Sequence, residues 1–467
     1  MKELFVNFFT FGLAVTLERL LSFLLIPIYA RVFSVTEFGI VDLIQTIISL
    51  VTIFAFLQLE TALQRYYYIY KDNESRGVFV FTLIITMFLF SVVLSFLVCV
   101  LSPWIASSFL KDISYSTALR IAGLQMPFSI LSTLVLIILR FERQFRLFTI
   151  MVLVKSIMLV AFVFFFLLHL NAGVNGFFLS QFIAITIAAI LSCFFVRGKI
   201  RMKYSVENIK QSFSYALPQL PARIGSSLNV YANRFFMVGY LSTYNIGVFS
   251  MALKFGSIVQ LFHQTFMMAW NQYMFKILEN PNHKYIYRSV LMMIVPLAFF
   301  LPVFLSLIAP EIIRFFASIE YIEASKYIGM ISLSFCILIS SEIINVGPKV
   351  KEKTYYMSIS FLISLFINLI SLFVFIQLFE LRGVLYAMVL TNLVLLVINW
   401  IFSERLYWVG YNIKHYCMTI LPSLAVSIMM MYVELPLYVR CCLILISAIY
   451  YSLILLYSYR IYKTYIL

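Results

Sequence analysis

Five basic residues, Arg19, Lys155, Arg223, Arg234 and Lys254, stand inside long apolar stretches of this 467-residue chain. Each stretch is long enough to cross a hydrocarbon layer of roughly 30 Å at 1.5 Å rise per residue. A charge at the centre of such a helix costs about 2.5–3.5 kcal/mol on insertion scales. Charges kept at that cost face a protein interior or a wet cavity. Arginine offers a phosphate a bidentate fork of N–H donors, and lysine a mobile point charge. Cations gathered in a membrane cavity therefore suit an anionic substrate such as a phosphate or diphosphate. Acids in the same stretches are fewer: Glu18 and Asp42 are the clearest, while Glu60 and Glu342 lie near stretch ends.

Spacing sharpens the candidates. Arg223, Ser227, Val230 and Arg234 follow helical steps of 4, 3 and 4, and Ser226, Asn229 and Asn233 widen that face into a polar stripe. Ser250, Lys254 and Ser257 share a second face, and Asp42, Gln45, Thr46 and Ser49 a third. Arg19, Lys155 and Lys254 each sit about 12 Å in from a membrane surface. The bland readings weigh differently from residue to residue. Glu18 is as well explained by neutralising a base on a neighbouring helix as by ion coupling. Arg234 and Asp42 lie close enough to the outer interface to snorkel, which favours a structural role. Lys155 is a lone charge in an apolar span, with the two readings balanced. Arg223 and Lys254 are deeper and on polar stripes, which favours a cavity. The candidate substrate-binding set is Arg19, Arg223, Lys254, Arg234 and Lys155, and the candidates for ion coupling are Glu18 and Asp42.

The elements that position these residues are membrane helices. With 63% hydrophobic and 11% charged residues and a mean hydropathy of +1.01, the chain is far from the roughly 25% charged composition of soluble domains. Short alternating segments, the mark of a β-barrel, do not occur. Hydropathy and loop punctuation predict an all-α polytopic protein of about fourteen spans. A first lobe of six spans covers 1–196, a basic connector 197–212, a second lobe of six 213–402, and a closing helix pair 403–467.

Charge sorting orients the spans. About twenty-two Lys and Arg fall in loops on one side and about seven on the other, which predicts both termini in the cytoplasm. The net charge of +15 is thus a topology signal, and nucleic acid is not an expected partner. The turn at Phe33, Ser34, Phe38 and Gly39 has an echo about 208 residues later at Leu241, Ser242, Ile246 and Gly247. Six spans, a connector and six more put both copies in one orientation, a parallel repeat about an axis along the membrane normal. Transporters built this way bind substrate between their halves.

Other residues carry less. The six cysteines lie in apolar stretches without metal-ligand spacing and read as core residues. Four histidines form no ligand pair, and His263, the one well inside a span, reads as packing. Tyr66-Tyr67-Tyr68, between Arg65 and Lys71, reads as an interfacial anchor. The N-terminal apolar run is too long, and too charged at Glu18 and Arg19, for a signal peptide. GxxxxGK[ST] does not occur, so ATP would require a partner chain, and no cofactor or metal is called for.

These residues resemble a family. RLLSFLLIPIYARVFSVTEFGIVDL (Arg19–Leu43), with its apolar helix, Pro27, basic Arg31 and polar turn ending in Gly39, is similar to the start of the polysaccharide transporters. These form a branch of the multidrug/oligosaccharidyl-lipid/polysaccharide exporter superfamily and include O-antigen, capsule and teichoic-acid repeat-unit flippases. Phe33-Ser34-Val35 stands where members often carry a Leu-Gly pair. The resemblance implies two six-helix lobes that rock about a central cationic cavity. By helix and depth, Arg19 and Lys254 match the cations that would hold a lipid-linked diphosphate. The expected function is flipping an undecaprenyl-diphosphate-linked oligosaccharide across the bacterial cytoplasmic membrane, with H+ or Na+ as coupling ion. A drug/cation antiporter of the same superfamily would want an acid-rich cavity, and a peptidoglycan-precursor flippase is a further alternative. An enzyme such as a glycan polymerase would need a larger outer loop, because 102–116 and 309–325 are too short for a catalytic domain.

Overall fold

Ser34 and Ser242, the paired turn residues, each start a helix in the same way. The structure, a computed structural model, describes residues 17–18, 20–353 and 355–466. Ser34 sits at φ −62°, ψ 160°; its hydroxyl accepts from the Glu37 N–H, and the Glu37 side chain accepts from the Ser34 N–H in return. Ser242 sits at φ −76°, ψ 159° and accepts from the Asn245 N–H. In both copies the serine is exposed, while the apolar residue before it and the Phe38–Ile40 or Ile246–Val248 triplet after it are buried. The echo read in sequence is one local structure used twice, a capping turn that drives an apolar triplet inward.

Every regular element among the described residues is helical, and the chain forms two compact units, Met1–Arg234 and Phe235–Leu467. The first contains α1 (Ile26–Val32), α2 (Val35–Phe56), α3 (Leu59–Tyr66), α4 (Asn73–Ile105), α5 (Ser116–Leu124), α6 (Met126–Phe141), α7 (Phe145–Val163), α8 (Gly173–Val196) and α9 (Val206–Ala216). It also takes most of α10 (Leu220–Tyr240). Two apolar helices are broken rather than continuous. Leu57 and Gln58, at φ 48° and 59°, both adopt the left-handed conformation between α2 and α3. Gln125, with Pro127 behind it, separates α5 from α6.

The basic connector is strapped to this unit. Arg201 N–H donates to Gly77 O at 3.2 Å, and a Cβ on Gly77 would lie 2.8 Å from Arg201 Cγ, so only glycine allows the approach. Lys199 pairs with Glu142 at 2.5 Å, and Tyr67 donates to the same carboxylate. Burial pushes the Glu142 carboxyl up, but the bonds from Lys199 and Tyr67 outweigh it and hold the group below its ordinary range. Tyr67, 2% exposed, is thus a core tie and not the interfacial anchor expected; Tyr68 is the exposed member of the run.

The second unit holds α11 (Thr243–Gly256), α12 (Ile258–Lys276), α13 (His283–Phe316), α14 (Ile328–Ile344), α15 (Val346–Val350), α16 (Tyr355–Leu406), α17 (Ile413–Tyr432) and α18 (Leu437–Ile466). Its axis is α14, almost wholly buried and bonded to α16 at seven-residue intervals. Asn392 Nδ2 donates to Ser334 Oγ at 2.7 Å and Asn399 Nδ2 to Ser341 Oγ at 2.8 Å. Ser403 Oγ donates to Ile344 O and accepts from the Gly347 N–H. Arg440 on α18, 5% exposed, reaches both carboxylate oxygens of Glu311 and the Leu307 carbonyl on α13. α16 breaks at Glu380 (φ 52°, ψ −128°), and a Cβ on Gly383 would lie 1.9 Å from Phe375 O.

Among the described residues, ten segments are long and apolar enough to cross a membrane, one of them Tyr355–Leu406, whose two halves of about 25 residues are each long enough to do so. The helices outside this set are the stretch around Leu20–Val32, the short α3 and α9, α10, and α11 with α12. These are the ones that carry Glu18, Arg223, Arg234, Lys254 and His263. All six thiols are free; Cys336 is buried, but Cys417, Cys441 and Cys442 are exposed, so the core reading fails for those three. Replacing Ser34 by Ala removes the hydroxyl half of its capping box, leaving the backbone N–H of residue 34 on Glu37, and is expected to cost about 1 kcal/mol. Thermal unfolding of the purified protein, with the neighbouring exposed Thr36→Ala unchanged as control, checks this.

Candidate functional site

The two helix breaks of the first unit and the polar stripe of α10 meet at one cavity of about 470 Å³. Gln45, Ser49 and Thr52 of α2 line it, with Gln58 at the left-handed break and Glu60 just beyond on α3. Gln125 at the α5–α6 break, Ser129 of α6 and Gln181 of α8 add amides and a hydroxyl. α10 brings Arg223, Ser227 and Tyr231. Irregular backbone at membrane depth is tolerated where it lines such a cavity, because the freed polar groups then have partners.

Arg223 is exposed into this space. Glu60 is half-buried, its own N–H donates to its carboxylate, and Oε2 is buried without a hydrogen-bond partner. Burial pushes the Glu60 carboxyl up; its backbone bond and the Arg223 charge pull in the opposite direction without cancelling that. One guanidinium, one half-buried carboxylate and a wall of amides and hydroxyls can hold a phosphate together with sugar hydroxyls.

The predicted site residues separate. Arg223 lies in the cavity, and of the third polar face Gln45 and Ser49 line it. Arg234 instead donates from Nε to Asp42 Oδ2 at 3.0 Å, with both side chains nearly buried. Lys155 lies 2.5 Å from Glu18 Oε1, so it is not the lone charge its apolar span suggests. Each of these bases has an acid against it; Asp42 and Arg234, read as close enough to the interface to snorkel, instead pair with each other nearly buried. Lys254 belongs to the second unit, exposed in the last turn of α11, with Ser257 Oγ donating to its carbonyl; Ser250 beside it is buried. Arg19 lies outside the described residues, as do the side chains of Ser226, Asn229 and Val230.

Sequence reasoning missed Glu60, Gln58, Gln125 and Gln181 as wall residues. A lone glutamine in an apolar span was the available signal for three of them. It also read His263 as packing, yet His263 Nε2 lies 2.9 Å from Glu342 Oε2. No cluster of metal ligands occurs among the described residues.

The Asp42–Arg234 pair makes a prediction. Removing one partner of a nearly buried pair leaves an uncompensated charge worth about 3–5 kcal/mol. Asp42→Asn and Arg234→Gln are each expected to reduce folded protein severely, and the double variant to recover most of it. Detergent-stable yield and unfolding temperature across the four proteins measure this.

No curated protein matches the chain. Solved structures share its fold. A structure of the lipid II flippase MurJ in an inward closed conformation superposes with a TM-score of 0.75 at 16% identity, over 96% of this chain and 98% of that one. An inward-facing multidrug resistance MATE family transporter of the MOP superfamily gives 0.62 at 15% identity, over 83% of this chain and 94% of that one. An outward-facing transporter of the same description gives 0.56 at 14%, over 86% and 94%. A family model described as "Polysaccharide biosynthesis protein" matches residues 4–278. The chain belongs to that polysaccharide biosynthesis family and has the polytopic fold of the multidrug/oligosaccharidyl-lipid/polysaccharide exporters.

Proposed function

We propose that this protein flips an undecaprenyl-diphosphate-linked oligosaccharide from the inner to the outer leaflet of the bacterial cytoplasmic membrane by alternating access. The observation that carries the reading is the α2–α10 cavity, where Arg223 stands among amides and hydroxyls inside an apolar helical unit. A guanidinium binds a diphosphate bidentately, and Gln, Ser and Thr side chains suit the hydroxyls of a glycan. At about 470 Å³ the cavity takes a head group and part of a glycan, leaving the polyprenyl tail in lipid. Arg19 and Lys254 are assigned to the same diphosphate as further cations. The charge sorting supports a cytoplasmic location for both termini. The membrane potential supplies about 2.3 kcal/mol per elementary charge at 100 mV, and a coupled H+ or Na+ can add to it.

A second reading, the peptidoglycan precursor as substrate, draws on the likeness to the lipid II flippase. It uses the same diphosphate recognition and differs in consequence: depletion would then be lethal, whereas loss of a surface glycan is not. A drug antiporter is disfavoured by the cation-bearing cavity, and a drug-efflux assay separates it.

Arg223→Ala and Lys254→Ala are each expected to lower surface glycan at least tenfold with protein level unchanged, and Arg223→Lys to retain part of it. Glycan staining of intact cells, alongside immunoblotting of membranes, gives the measurement. Wild-type display in both alanine variants would remove this function from consideration.

A further inference from the structure

The two ends of the second unit treat their basic residues differently. At one end Lys326 pairs with Glu434 at 2.8 Å, and Arg440 pairs with Glu311. At the other, around the start of α13, Lys284, Arg288 and Lys351 have no acid within ion-pair distance among the described residues. Two acids described at that end are used elsewhere. Glu342 lies 2.9 Å from His263, and Glu404 accepts the Gly410 and Tyr411 N–H groups. Glu352 is exposed.

These three bases gather where α16 passes into α17. Lys284 Nζ stands 5.0 Å and Lys351 Nζ 5.7 Å from the centre of one ring, that of Tyr407. His283 holds the ring in place: its Nδ1 donates to the Asn280 carbonyl at 2.6 Å, which leaves Nε2 to accept from the Tyr407 hydroxyl. The Arg288 charge acts on His415 in the first turn of α17, and Arg288 Nε is buried without a hydrogen-bond partner.

Helix chemistry alone disfavours this arrangement. A base in the first turn opposes the helix dipole, and Lys284 and Arg288, one turn apart, share a face and repel. Asn282, at the head of α13, makes no side-chain cap. Orientation in a membrane asks only for solvated bases on one side. It does not ask for a guanidinium nitrogen buried without a partner, or for two ammoniums over one fixed ring. An anion seated among them relieves both costs.

We propose that the start of α13, with Lys351 and Tyr407, binds the phosphodiester head group of an anionic lipid in the cytoplasmic leaflet. Arg288 and the two lysines supply the N–H donors and the charge, and the Tyr407 ring fixes the lysines. Lys276, Lys349, Lys353, Arg405 and Lys414 lie at the same end, which supports its being the cytoplasmic one. Trp408, 68% exposed, and Ile413, 63% exposed, flank the cluster along the chain. Such side chains belong at the lipid boundary, which favours a head group over a soluble phosphate. The bound lipid would tie α13 to the loop after α15 and to the α16–α17 joint, and it requires nothing of the function proposed above.

Thermal unfolding of the purified full-length protein in micelles, titrated with phosphatidylglycerol, tests this. Wild type is expected to unfold at rising temperature as phosphatidylglycerol is added, and not with phosphatidylcholine or inorganic phosphate. Lys351→Gln, at an exposed position that folding tolerates, should need about fivefold more lipid for the same rise, and Lys284→Gln with Lys351→Gln roughly tenfold or more. Lys463→Gln, an exposed base outside the cluster, should titrate as wild type. No rise with phosphatidylglycerol, or an equal rise with phosphatidylcholine or inorganic phosphate, would overturn the assignment. So would a wild-type titration by Lys351→Gln, or a loss in Lys463→Gln as large as its own.

Discussion

A polar group inside a hydrocarbon layer cannot turn to water, and this constraint shapes nearly every feature described. Two bases deep in the apolar chain have an acid beside them, Arg234 with Asp42 and Lys155 with Glu18, and the His263 imidazole meets the Glu342 carboxylate. Amide and hydroxyl groups of α16 meet those of α14 in register, Asn392 on Ser334 and Asn399 on Ser341. Where the backbone is interrupted, at Gln58 and Gln125, a polar cavity adjoins the interruption. The two units thus treat polarity in opposite ways. In the second, α14 and α16 consume it internally; in the first, α2, α3, α6, α8 and α10 leave part of it facing an open volume.

Much of this was legible in the amino-acid sequence, and for identifiable reasons. Apolar runs separated by charged loops have a length set by the bilayer, so the ten long apolar segments of the described residues fall within the stretches that hydropathy marks. The turn at Ser34 and its copy at Ser242 could be read because a capping serine followed by a buried triplet is a local pattern, complete within about eight residues. The polar face of α2 and the Arg223 stripe of α10 were legible as helical periodicity, which places residues on a face before anything is known of the neighbour.

Partnerships between distant segments were not legible. Lys155 and Glu18 are far apart in the chain, and nothing local in either segment names the other. Tyr67 sits in a run of three tyrosines beside basic residues, the composition of an interface belt, and only packing against Glu142 reveals it as a core tie. The break between α2 and α3 left no trace either, since neither Leu57 nor Gln58 is a residue that normally marks a left-handed turn. Without that break Glu60 reads as one more charge at the end of a span.

That break has an implication for how the protein distributes its stability. Holding an L-residue in the left-handed region costs of order 1–3 kcal/mol, and the chain bears that cost twice in succession, at Leu57 and Gln58. Glycine would relax either position, but at Gln58 it would delete an amide from the wall of the chamber. The first unit therefore carries two successive strained residues at the edge of its polar chamber. Any variant selected for heat resistance alone should drift toward glycine there and grow worse at its task.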